Sequence, residues 1–253
     1  MSVPLHHVED GPSDAPVIVL SGSLGSTLEM WRPQVGELSK SFRVIRIDHR
    51  GHGGSPVPPG PYRMADLAED VVALLDRLGL ERVAWCGLSL GGMVGMVLAT
   101  AVPERITSLT LCCTSANYPD TQVWRDRITA VTDGGTGPIA EAVVARWFTP
   151  RWAAEHPDVV AEMRGMVTGT SDDGYLACCQ ALEAWDHRPD LPSITAPTLV
   201  IAGAADQAAP VDPHATTLAD TIPGARLEVL DAAHLATVER ADEATALIIA
   251  NAR

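Results

Sequence analysis

The chain has 253 residues, a formal net charge of −14 and 46% hydrophobic residues. That length and apolar fraction suit one large globular domain and exclude a disordered chain. The acidity excludes nucleic acid and an anionic membrane as partners, and no apolar run is long enough to cross a bilayer.

The opening MSVPLHHVEDG lacks the basic and apolar regions of a signal peptide, so a cytoplasmic location is expected. A short apolar run at 17–20 (VIVL) reads as a buried strand, and 42–47 as a second, ending at Asp48. Over 64–78, Leu67, Val71, Leu74, Leu75 and Leu78 share one face of an amphipathic helix that Gly79 ends. Strands are expected at 82–86 and 106–112, with a largely buried helix over 90–101 between them. Two more strands, 198–202 and 225–230, precede a closing helix over 241–250. Strands alternating with helices predict an α/β fold with a mostly parallel central sheet and helices on both faces. Residues 118–188 break the alternation. They read as helical, hold Trp124, Trp147, Trp152 and Trp185, and are expected to form a cap inserted into a core of 1–117 and 189–253.

The segment CGLSLGG contains G-x-S-x-G centred on Ser89, after an expected strand and before an expected helix. That context predicts a nucleophile elbow, in which a tight turn holds the serine in a strained conformation above the sheet. Gly87 and Gly91 are small because side chains there would collide across the turn. A serine hydroxyl needs a base, and the expected chain order is serine, acid, histidine. Asp206 lies just past the strand in TLVIAGAADQAAP, with Asp212 as the fallback. His234 lies in the loop after the last strand, and Asp231 precedes it too closely to be the acid. His49 and His52, in DHRGHGGS, are expected at the rim of the site, and His156, His187 and His214 at the surface. The oxyanion needs two N–H groups; Leu90, next to Ser89, and Leu24, in the loop 21–26, are the expected donors.

Five cysteines, at 86, 112, 113, 178 and 179, show no metal-ligand spacing and read as free core thiols. No metal or organic cofactor is implied. Lys40 is the only lysine, so arginine carries nearly all positive charge. Arginine's planar fork suits carboxylates, although GC-rich coding would give the same bias.

Together these segments resemble the α/β-hydrolase superfamily over nearly the whole chain and, within it, the 3-oxoadipate enol-lactonases. LSGSLGSTLEMWRPQV, FRVIRIDHRGHGGSPVPPGPY, CGLSLGGMVG, RWFTP, GYLACCQAL and LDAAHLATVERAD carry the likeness. Gly22-Ser23 stands where many members of the superfamily have His-Gly. The resemblance implies a small anionic lactone as substrate, opened through a serine acyl-enzyme in aromatic-compound breakdown. Its carboxylate should meet a cation of the cap, Arg127 or Arg146, with Ser23, Trp124 and Trp147 also at the substrate. Some relatives carry a fused carboxymuconolactone decarboxylase, which is not expected here. A homo-oligomer is compatible with the sequence. Three alternatives share the motifs: a general carboxylesterase, a cofactor-free haloperoxidase and a hydrolase of C–C bonds. A non-catalytic binder on the same fold is the alternative from another class.

Overall fold

A computed structural model describes all 253 residues, Met1–Arg253. Seven strands form one sheet: β1 (His7–Asp10), β2 (Val17–Ser21), β3 (Arg43–Ile47), β4 (Val83–Leu88), β5 (Ile106–Cys112), β6 (Thr198–Gly203) and β7 (Arg226–Leu230). Their spatial order is β1-β3-β2-β4-β5-β6-β7, and every pairing is parallel except β1 on β3. The expected α/β fold with a mostly parallel sheet is therefore the one observed.

Alternation along each strand divides the core in two. On β2, Ile18 and Leu20 face one side and Val19 the other. The Val19 side packs beneath α2 (Met64–Arg77) and α3 (Leu90–Ala101), whose Leu67, Val71, Leu74 and Met93 are buried there. The Ile18 side packs beneath α1 (Arg32–Leu38) and α11 (Ala241–Ala252), through Leu38, Ala244 and Ile248. Burial on both faces explains why the inner parallel strands β2, β4 and β6 read as apolar runs, whereas β7, at the edge, is largely exposed.

Strand β1 was not expected. HVED has no apolar alternation, and it is held by its pairing with β3 and by ion pairs from Arg43 to Glu9 and Arg46 to Asp10. Strand β4 also runs two residues beyond its expected end, so regular backbone continues directly into the turn at Ser89.

Between β5 and β6 the chain forms five successive helices: α4 (Gln122–Gly134), α5 (Gly137–Val144), α6 (Pro150–Glu155), α7 (Pro157–Gly169) and α8 (Asp172–Glu183). Helix α4 packs on α8, and α5 on α7. After β6 come α9 (Thr216–Thr221) and, past β7, α10 (Ala236–Glu239). All five cysteines are buried free thiols.

Candidate active site

The loops that leave β2, β4, β6 and β7 emerge at the same, carboxyl-terminal edge of the sheet, where such sheets gather their sites. Ser89 caps α3 with φ 55° and ψ −111°, a region L-residues rarely adopt. The surroundings force this conformation. A Cβ on Gly87 would lie 2.1 Å from the Gly91 carbonyl oxygen, and one on Gly91 would lie 2.2 Å from that of Ser21. Ser89 N–H donates to the Cys112 carbonyl at 2.9 Å, and Thr114 Oγ1 donates to the Ser89 carbonyl at 2.7 Å.

His234 Nδ1 donates to Asp206 Oδ2 at 2.8 Å, with both side chains almost wholly buried. The other carboxylate oxygen, Oδ1, accepts the N–H groups of Ala208 and Ala209 at 2.8 and 3.1 Å. Burial alone would raise the Asp206 carboxyl. The charge and hydrogen bond of His234, aided by those two N–H groups, outweigh it and hold the group below its ordinary value. A carboxylate on Nδ1 fixes the tautomer, so Nε2 is free to take a proton from a hydroxyl in the cleft. Asp212 is exposed and accepts only from Thr216 Oγ1, at 3.3 Å; it does not reach His234.

Ser89 and His234 line one cleft of about 250 Å³ with Ser23, Leu24, Trp124, Arg127, Arg146 and Trp147. Every expected substrate-binding residue is thus at the cleft, and of the two expected oxyanion donors Leu24 lines it directly. Leu90, the first residue of α3, has no intrahelical acceptor for its N–H. The N–H of Leu24 has no protein partner either.

Arg127 lies over the Trp124 ring, 5.3 Å from its centroid, and donates to the Tyr175 hydroxyl at 3.3 Å. Arg146 is half-buried, and neither arginine is in an ion pair. Burial and then the charge of Arg127 push the Arg146 guanidinium down from its ordinary value.

Tyr118 and Gln207 also line the cleft and were not anticipated. The Tyr118 ring meets Trp124 edge-on at 5.0 Å, and burial followed by the nearby Asp206 charge pushes its phenol up. Two expectations need correction. His49 and His52 are not at the rim but buried, 3% and 1% exposed, beneath the loop after β2. Of the three histidines placed at the surface, only His156 is exposed. His187 is buried against Trp185, and half-buried His214 bonds Ser115 Oγ through Nδ1 at 2.6 Å. Trp152 and Trp185 lie away from the cleft. Trp152 stacks between Phe148 and His156, and Trp185 Nε1 donates to the Ser115 carbonyl at 2.8 Å.

Comparison with known proteins agrees with the architecture. A sequence model of the α/β hydrolase fold matches residues 15–241. A 3-oxoadipate enol-lactonase of Acinetobacter baylyi is 39% identical over 94% of this chain and 89% of its own length. A protein of Variovorax paradoxus provisionally named carbamate hydrolase RutD is 35% identical over 82% of this chain and 80% of its own. The crystal structure of an enol-lactonase from Burkholderia xenovorans superposes with a TM-score of 0.96 at 43% identity, covering 98% of this chain and 96% of that one. With its sheet order, its serine turn and a family match across most of its length, the chain belongs to the α/β-hydrolase family.

Proposed function

We propose that the protein hydrolyses a small lactone bearing a carboxylate, 3-oxoadipate enol-lactone, through an acyl-enzyme on Ser89. The observation that carries this reading is the pair of guanidiniums, Arg127 and Arg146, without ion-pair partners in the cleft that holds Ser89 and His234. Unpaired cations are costly to bury, and a substrate carboxylate is the partner that would compensate them. Likeness to two enol-lactonases over most of the chain supports the same class. Residues 118–188 act as a cap in this reading, supplying Trp124, Arg127, Arg146 and Trp147 to the substrate.

His234 Nε2 takes the Ser89 proton as Oγ attacks the lactone carbonyl. The N–H groups of Leu24 and Leu90 receive the oxyanion. Collapse breaks the ring C–O bond and expels an enolate; His234 gives it the proton taken from Ser89, which yields the ketone and leaves the imidazole neutral. Water then gives a proton to His234 and attacks the acyl carbon, and the proton returns to Ser89. Asp206 holds the imidazole in the tautomer that both halves need.

The test is turnover of 3-oxoadipate enol-lactone beside a neutral lactone, with Ser89→Ala as control. Clear preference for the enol-lactone, lost by several orders of magnitude in the variant, is expected. A variant keeping a tenth of wild-type turnover would refute the nucleophile. Likeness to the protein named carbamate hydrolase favours a second reading, hydrolysis of a carbamate, and faster turnover of a carbamate than of the enol-lactone would put it first.

A further inference from the structure

The loop after β2 leaves one N–H free between two that are held. Ser23 N–H meets Met30 Sδ at 3.5 Å, and Gly25 N–H donates to His52 Nε2 at 2.9 Å. Leu24, between them, has no protein acceptor for its N–H. The roles of the two His52 nitrogens follow from their partners. A backbone N–H can only donate, so Nε2 accepts. Nδ1 faces the Arg50 carbonyl at 3.2 Å, which can only accept, so Nδ1 carries the proton. Burial keeps the ring in this neutral form.

The backbone around His52 has little freedom to move. His52 N–H donates to the His49 carbonyl at 3.0 Å, and its own carbonyl accepts from Ser55 N–H at 2.9 Å. The flanking glycines have φ 78° and 51°. A Cβ on Gly51 would lie 2.6 Å from Gly174 Cα, and one on Gly53 would lie 2.1 Å from Asp48 Oδ2. The Asp48 carboxylate in turn accepts Leu28 N–H at 2.7 Å, and so anchors the far end of the same loop. The segment DHRGHGGS therefore presents a fixed acceptor to a glycine that would otherwise be free to rotate.

We infer that His52 is a positioning residue for the oxyanion site: its Nε2 clamps the peptide after Leu24, as Met30 clamps the peptide before Ser23, so that the Ser23–Leu24 peptide holds its N–H where the oxyanion forms. The inference rests on the acyl-transfer reading of Ser89, but not on the identity of the acyl group. An oxyanion donor acts on the transition state and not on bound substrate, so loosening it lowers kcat and leaves KM.

Two amide variants separate this role from simple packing. In His52→Asn the amide can still donate to the Arg50 carbonyl but is too short to reach Gly25. In His52→Gln the amide oxygen extends to about where Nε2 lies and can accept. With an aryl acetate, His52→Asn should lose ~10- to 100-fold in kcat with KM within about twofold, less than the ~10²–10³-fold for outright loss of an oxyanion donor. Its fluorophosphonate labelling at Ser89 should slow in parallel, while His52→Gln recovers most of both rates. Denaturation midpoints of the two variants normalise the rates to folded protein. Equal impairment of the two variants, or a loss confined to KM, overturns the inference. If wild type neither cleaves the ester nor labels at Ser89, the acyl-transfer reading fails and takes the inference with it. If wild type does both and only the difference between variants is missing, the role of His52 alone is refuted.

Discussion

Replacing Arg146 by methionine isolates the charge that the substrate is expected to meet, because methionine keeps much of the apolar stem. Arg146 is half-buried, has no ion-pair partner and is pushed down by burial and by Arg127. A carboxylate arriving there restores a partner. Truncating one member of a desolvated charge pair costs about 2–5 kcal/mol. Half-exposure screens the pair, so the lower end applies, ~2 kcal/mol or ~30-fold in kcat/KM. The assay is the ratio of kcat/KM for 3-oxoadipate enol-lactone to that for a neutral aryl acetate. The ratio should fall ~30-fold in Arg146→Met, mostly through the lactone. Arg127→Met should lower it too, and the double variant should fall short of the product if both guanidiniums serve one carboxylate. Without substrate the charge is a burden, so the midpoint for thermal unfolding of Arg146→Met should be equal to or above that of wild type. If neither single variant moves the ratio, Arg127 and Arg146 do not bind the carboxylate.

Asp206→Asn should leave the fold intact and cost up to ~10⁴ in kcat by favouring the wrong imidazole tautomer, whereas Asp212→Asn should be nearly silent; the reverse pattern would identify Asp212 as the acid. Burial, with the neighbouring His52, pushes His49 from 6.5 down to about 3. Between those values the unfolded chain binds the extra proton, so this contribution is intact above pH 6.5 and drains by about 1.4 kcal/mol per pH unit below it. Urea unfolding of His49→Gln at pH 7 and 5 should show a shallower loss than wild type, and identical losses would refute the assignment. Asp70 is fully buried and pairs with Arg50 through two contacts, 2.6 and 2.7 Å. Asp70→Asn should cost about 3–5 kcal/mol by denaturant titration, because it strands the guanidinium, and Arg50→Met/Asp70→Leu should cost less than the single change.

What the sequence made legible was periodic or motif-bound. Ile106–Cys112 was legible to the residue as an apolar run, and the start of α3 from the G-x-S-x-G turn, whose glycines have a steric reason. Asp206 and His234 were legible as loop positions at strand ends, and their 2.8 Å contact follows from β6 and β7 being neighbours. What escaped was set by partners distant in the chain. His7–Asp10 forms a strand only because β3 and its arginines lie alongside. The glycine-rich setting of His49 and His52 suggested an exposed loop. The glycines instead let the chain fold tightly under a second loop, which buries both rings. Tyr118 and Gln207 are far apart in sequence and both line the cleft, with no local pattern to mark either. The histidines at 187 and 214 carried no sign of their partners, Trp185 stacking and Ser115, for the same reason.

The charge distribution gives the proposed substrate a physical logic. A net charge of −14 repels an anion at long range, but solvent ions screen that field within about 8 Å of the surface at physiological salt. Inside the cleft, distances are shorter and water is scarcer, so two guanidiniums outnumber the one lining carboxylate, Asp120, and outweigh many remote ones. Elsewhere eleven of fifteen arginines meet acids, Arg32, Arg43, Arg46, Arg50, Arg63, Arg105, Arg125, Arg151, Arg164, Arg188 and Arg240, while Arg77, Arg82, Arg226 and Arg253 do not. What sets Arg127 and Arg146 apart from the other unpaired arginines is their place, in the cleft beside Ser89 and His234. Arg127 is partly compensated by the Trp124 face and the Tyr175 hydroxyl, so it is preorganised and its position fixed. Arg146 has no such contact; the repulsion from Arg127 adds to its cost, and Tyr175 and the Asp206 charge offset only part of it. In the proposed reading the free protein holds charge whose stabilisation waits for an anion, which would favour the anionic lactone over a neutral ester without a steric barrier against the ester.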